Sequence, residues 1–235
     1  MREQKTKARI PADPYGEEGL SLLREAVRGR MSEKRWRHTL GVEKKAAELA
    51  AVYAPEKTAL LRAAALLHDL TKELPAEEQI LLCRRFGVPV PQDCLESPKL
   101  FHSLTASLLI PEEFPLYADP ALLQAVARHT AGHPRMALCD KLLYLADWIE
   151  DTRTFPACVK LRKDYDERIR TADTGEKRLA VLDKVMLRSF DLMIREILTE
   201  KRALALITVE TRNALLRDRA ERKNERKTHR HGSEK

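Results

Sequence analysis

Long apolar runs are missing from this 235-residue chain. No stretch approaches the roughly 18–20 uninterrupted apolar residues of a membrane span, and no apolar leader follows Met1. The expectation is a cytoplasmic protein without a membrane partner. Cysteine is scarce: Cys83, Cys94, Cys139 and Cys158 show no C-x-x-C spacing, which argues against a disulfide framework or a thiolate zinc knot. Alternating β-branched runs and internal repeats are also lacking, so the expected fold class is all-α in a single domain. The body lacks excess charge as well. Residues 1–9 are net +3 and residues 217–235 net +4, which is the whole formal +7. The high pI therefore describes two charged terminal tails, expected to be disordered over 1–16 and 217–235 around a folded 17–216. Nucleic acid is expected to bind only weakly and salt-dependently, through those tails.

Helical periodicity is what the chain does have. Leu20, Leu23 and Val27 mark a first helix ending near Gly29, and Ser32 can cap a second. The stripe His38, Val42, Ala46, Leu49, Tyr53 advances by three and four residues and stops before Pro55. A third helix is expected over Glu56 to Lys72, and a fourth from Pro75 to Gly87. Three prolines make Val88 to Lys99 read as a loop, after which a short helix carries His102. Asp119-Pro120 is a start signal for a helix running to His129, and Asp140 to Glu150 forms another. Helices over Pro156 to Arg170 and Gly175 to Glu200 precede a last one that begins near Thr208 and fades into the tail.

The run Ala63-Ala64-Ala65-Leu66-Leu67-His68-Asp69-Leu70 places an imidazole and a carboxylate at the end of an apolar segment. Their desolvation costs several kcal/mol unless a partner charge or cation offsets it. His38, His102, His129 and Asp147 also fall on inward faces by pattern. A buried histidine is more often a hydrogen-bonded core residue than a ligand, but four such histidines with two carboxylates exceed that expectation. Imidazole and carboxylate suit iron, manganese, cobalt or zinc. Six ligands exceed one tetrahedral ion, and Asp69 bridging two ions accounts for the surplus, with His68 serving one and His102 and His129 the other. His133 follows His129 by four residues, but Gly132 and Pro134 flank it, so it reads as a rim residue. Lys72, four residues after His68, is either a phosphate-neutralising ammonium or a solvated helix end.

The order His38, His68-Asp69, Asp147 resembles the signature of the HD-domain metal-dependent phosphohydrolases, helical bundles. The surrounding segments are more specific: Arg37-His38-Thr39-Leu40-Gly41-Val42, Leu66-Leu67-His68-Asp69-Leu70-Thr71-Lys72, Phe101-His102-Ser103, Arg128-His129-Thr130-Ala131-Gly132, Tyr144 to Glu150 with Arg153, and Thr208 to Asn213. Together they are similar to the YqeK family of bacterial symmetrical diadenosine tetraphosphate hydrolases, over roughly Leu20 to Leu216. The resemblance implies two divalent metal ions, iron in that family with manganese or cobalt as alternatives, and cleavage of a dinucleoside polyphosphate to two ADP. It implies metal ligation by His38, His68, Asp69, His102, His129 and Asp147. Catalytic roles then fall to His68, Asp69 and Lys72, and substrate contacts to Arg153, Thr130, Thr208, Thr211, Arg212 and Asn213. A competing role for Arg153 is an ion pair with Glu150. The alternatives are another HD-type nucleotidase or guanosine tetraphosphate hydrolase, or a nucleotide-binding or RNA-associated regulator. Oligomeric state is open, a homodimer included.

Overall fold

The structure is a computed structural model that describes residues 10–232, with side chains as far as residue 222. Among the described residues there is no strand; the chain forms eleven α-helices joined by turns and three short 3₁₀ segments. They are α1 (Glu17–Arg28), α2 (Glu33–Tyr53), α3 (Thr58–Leu67), α4 (Ala76–Arg85), α5 (Gln92–Glu96), α6 (Phe101–Glu113), α7 (Pro120–Arg128), α8 (Leu138–Ile149), α9 (Pro156–Ile169), α10 (Gly175–Thr199) and α11 (Leu206–Gly232). No helix among the described residues is long and apolar enough to cross a membrane.

Local signals place several boundaries. Ser32 accepts from the Arg35 amide at 3.2 Å at the start of α2, and Asp119 accepts from the Ala121 and Leu122 amides at the start of α7. Val42, Ala46 and Leu49 of α2 and the Ala63-Ala64-Ala65 run of α3 are all fully buried. Those alanines let α2 and α3 pack closely, forming the most extensive helix pair in the molecule. Around this pair, Leu20 and Val27, Leu122 and Val126, Leu142 and Ile149, and Leu182 with Phe190 complete one core. A small satellite of Cys83, Cys94 and Phe101 lies under α4 and α5.

Three expectations need correction. Val88 to Lys99 is not a plain loop, because Pro91 precedes α5 and Pro98 opens a 3₁₀ turn; proline stops helices inside but suits their starts. The expected disorder of 1–16 does not extend to its end. Tyr117 donates to the Pro14 carbonyl at 2.9 Å, and Tyr15 packs edge-on against its ring, fastening this segment; residues 1–9 lie outside the described residues. The tail from 217 is helical to Gly232, since Arg, Lys, Glu and Ala favour helix and no glycine or proline interrupts them. Arg222 ties it to Asp183 of α10 at 2.8 Å.

Candidate metal centre and its flanking cavities

Five segments bring the inward polar residues together. His38 stands on α2, and His68, Asp69 and Lys72 follow α3. His102 opens α6, His129 caps α7, and Asp147 lies on α8. The expected helix to Lys72 ends instead at Leu67, and residues 68–74 form successive tight turns. Thr71 anchors these turns by donating to the His102 carbonyl at 3.0 Å and meeting the Thr105 hydroxyl at 2.8 Å. The turn matters because consecutive residues of a helix point about 100° apart. Off the helix, adjacent His68 and Asp69 both face the centre, with His68 Nε2 3.3 Å from Asp69 Oδ2. Lys72 also arrives through the turn, its Nζ 3.2 Å from both ring nitrogens of His102.

The imidazoles are oriented by their other nitrogens. Nδ1 of His68, His102 and His129 lies 2.6, 2.7 and 2.7 Å from the carbonyls of Ala65, Lys99 and Val126. A carbonyl only accepts, so each Nδ1 carries the proton and each Nε2 presents a lone pair. Burial keeps His102 neutral, far below its ordinary pKa, and lowers His129 to about 4. His102 Nε2 and His129 Nε2 nevertheless face one another at 3.0 Å, and His68 Nε2 is buried without any hydrogen bond. Lone pairs opposed at that distance repel; the Lys72 ammonium and the Thr130 hydroxyl can each donate to this pair, whereas His68 Nε2 has no such donor, and a cation among the three rings would satisfy them together.

Asp69 divides the cluster. Its Oδ1 faces His102 and His129 Nε2 at 3.3 and 3.9 Å, while Oδ2 faces His68 and His38 Nε2 at 3.3 and 3.7 Å. Asp147 Oδ1 lies 2.9 Å from His38 Nε2 and 4.0 Å from His68 Nε2. Two triplets, His38–His68–Asp147 and His68–Asp69–His129, each offer ligand atoms within 4.8 Å of one another. Nitrogen and oxygen donors in this arrangement fit divalent metal ions. Burial opposes ionisation of Asp147, but Arg153 beside it outweighs burial and holds its carboxyl well below the usual range. At His38 burial opposes protonation, yet hydrogen bonds to Asp147 and Glu150 raise the pKa to about 9. A metal ion bound there displaces a proton.

Two supports went unassigned in the sequence. Glu150, wholly buried, accepts from His38 Nδ1 at 3.0 Å and is itself held by the Thr152 amide and hydroxyl. Gly41, one turn after His38, makes room for it: a Cβ there would sit 2.3 Å from Glu150 Oε2. The second is Arg35, whose Nη1 reaches Asp69 Oδ2 at 2.6 Å. Its position one turn before His38 was the available signal. Glu150 also overturns the proposed pairing with Arg153. The chain turns extended at Glu150, so helical i,i+3 geometry is lost, and Arg153 pairs with the Asp147 carboxylate and donates to its carbonyl at 2.7 Å.

The remaining expected contacts separate into two groups. Thr130 sits in the cluster, its hydroxyl 3.0 Å from His102 Nε2 and 3.2 Å from His129 Nε2. Thr208, Thr211, Arg212 and Asn213 on α11 line no cavity beside the cluster. Thr208 and Thr211 are buried, Thr211 bonding the Ile207 carbonyl; Arg212 pairs with Asp191, and Asn213 is exposed beside it. Thr211 acts from behind: Gly132, at φ +77°, has no room for a Cβ against Thr211 and Phe190. His133 is outside the cluster, accepting from the Arg135 amide.

A cavity of about 220 Å³ borders His102 and Lys72, and two larger ones flank the rest of the cluster. One of about 550 Å³ borders His38 and is walled by Lys34, Arg35, Arg37 and Glu150. The other, about 290 Å³, borders His129 and Asp147 and is walled by Leu100, Trp148, Met193, Ile197, Lys99 and Arg202. Arg153 and Phe155 belong to both.

Comparison with known proteins agrees with this geometry. Residues 35–151 match the HD domain family. A symmetrical bis(5'-nucleosyl)-tetraphosphatase of Bacillus subtilis is 36% identical over 58% of this chain and 72% of its own length. One from Halalkalibacterium halodurans is 36% identical over 59% of this chain and 72% of its own length. A crystal structure from Clostridium acetobutylicum, described as a predicted HD superfamily hydrolase involved in NAD metabolism, is 32% identical. It superposes with a TM-score of 0.72 over 84% of this chain and 97% of its own.

Proposed function

The chain belongs to the HD-domain symmetrical bis(5'-nucleosyl)-tetraphosphatase family, and from that membership and the cluster's chemistry we propose that it hydrolyses diadenosine tetraphosphate to two ADP. The observation that carries the reading is the set of Nε2 lone pairs converging on a two-faced Asp69. His38, His68 and Asp147 would hold one divalent ion and His102 and His129 the other, with Asp69 between them. When bound, such ions lower the pKa of water and neutralise charge developing on phosphoryl oxygens. Iron is the proposed metal; manganese and cobalt accept the same donors.

The chain's own groups supply positioning. Arg153, whose guanidinium lines both cavities, orients the central phosphates. Lys72, whose pKa burial lowers, adds a point charge beside His102. Arg35 steadies Asp69 and faces the larger cavity. A dinucleoside polyphosphate met in the cytoplasm is the substrate this arrangement suits. The test pairs metal analysis of protein purified without oxygen with product analysis: ADP alone is expected, and phosphate or pyrophosphate from the same substrate overturns the assignment. Another HD-type nucleotidase reading is not favoured, since the curated relatives share the tetraphosphatase name.

A further inference from the structure

A substrate with two identical ends meets two unlike cavities. The smaller one sets the apolar surfaces of Leu100, Trp148, Met193 and Ile197, on which a base and ribose can pack, among the cations Lys72, Lys99, Arg153 and Arg202 and the carboxylate of Glu196. The larger has four cations, Lys34, Arg35, Arg37 and Arg153, with Phe155 as its one aromatic wall, shared with the other cavity. Its one carboxylate, Glu150, is wholly buried and committed to His38 and Thr152. Lys34 and Arg37 are exposed and form no ion pair or side-chain hydrogen bond among the described residues, whereas Lys44 and Lys45 farther along α2 pair with Asp151. This wall attracts phosphate strongly and offers little to distinguish one base from another.

Building on the tetraphosphatase reading, we propose that the larger cavity is a polyphosphate trough. It holds the second half of the substrate through its phosphates, by Lys34 and Arg37 beyond Arg35 and Arg153, without reading the second nucleoside. The enzyme then has a further activity: adenosine 5'-tetraphosphate, which has no second nucleoside, is a substrate. Water adds to a central phosphorus, the bridging P–O bond between the second and third phosphoryl groups breaks, and ADP and pyrophosphate leave with a proton passing to solvent.

The holoenzyme is assayed with diadenosine tetraphosphate and with adenosine 5'-tetraphosphate, alongside the double variant Lys34→Ala/Arg37→Ala. Both residues are exposed, so the core is untouched. If the wild type yields no ADP from the dinucleotide, the tetraphosphatase reading itself fails. Where it does, cleavage of adenosine 5'-tetraphosphate is expected with kcat/KM within about tenfold of the dinucleotide value. The double variant should raise KM for both substrates about tenfold, the loss lying in KM and shrinking at high salt. Inhibition by added ADP, seated in the smaller cavity, should hold constant. An unchanged KM in the variant, a more than tenfold lower kcat/KM for adenosine 5'-tetraphosphate, or equal weakening of ADP and substrate overturns the trough.

Discussion

Two buried carboxylates beside α7, Asp140 against Gln124 and Arg128 and Asp69 near His129, show how differently one residue type can be used. Asp140 is wholly buried and has a donor for each oxygen: Arg128 at 2.9 Å, Gln124 at 3.1 and 3.2 Å, and the Ala137 amide at 2.9 Å. Asp69 is nearly as buried, but only one oxygen has an arginine donor, Arg35, and both face histidine Nε2 atoms. The first cluster is closed and ties α7 to the start of α8. The second is open to a cation, and the mismatch of acceptors marks it as functional where burial alone does not.

The largest test of that contrast is Asp69→Ala. Turnover should fall by at least about 10³-fold with loss of bound metal, while circular dichroism stays helical; a normal rate would refute the bridging role. Asp140→Ala should do the reverse, leaving the Gln124 amide and the Ala137 N–H without their acceptor while half-buried Arg128 keeps only the Arg135 carbonyl. About 1–3 kcal/mol of stability is expected to go in denaturant unfolding, with metal stoichiometry unchanged in the folded fraction. Glu150→Gln sits between the two, loosening the His38 ring. Metal titration should show about 10–100-fold weaker binding, and Gly41→Ala should move in the same direction by pushing Glu150 away. The smallest effect is expected from Thr211→Val, about 1 kcal/mol in thermal unfolding with KM unchanged, because its hydroxyl bonds only the Ile207 carbonyl. A large KM effect would return Thr211 to the substrate.

Much of this was legible in the chain. Inward stripes placed His38, His102 and His129 correctly, and caps at Ser32 and Asp119 marked where α2 and α7 begin. Asp69 was singled out as the carboxylate between two histidine groups. Two misreadings at the site share one cause. Helical spacing was extended across Leu67 to Lys72 and across Ile149 to Arg153, where the chain in fact leaves the helix. The Thr208 to Asn213 segment came from resemblance alone, and resemblance cannot tell a residue that touches a ligand from one that props a neighbour, as Thr211 does under Gly132.

What the sequence determined by itself is the helical body and the inventory of metal-binding side chains, because amphipathic period and donor type are local properties. Only the tertiary structure decided how those side chains are used. The turn that aims His68 and Asp69 at one point, the Glu150 that holds His38, and the pairing of Arg153 with Asp147 all depend on contacts between segments distant in the chain. The difference between a cavity with apolar walls among its charges and one walled mainly by cations does too, since it follows from which helix ends meet around the cluster.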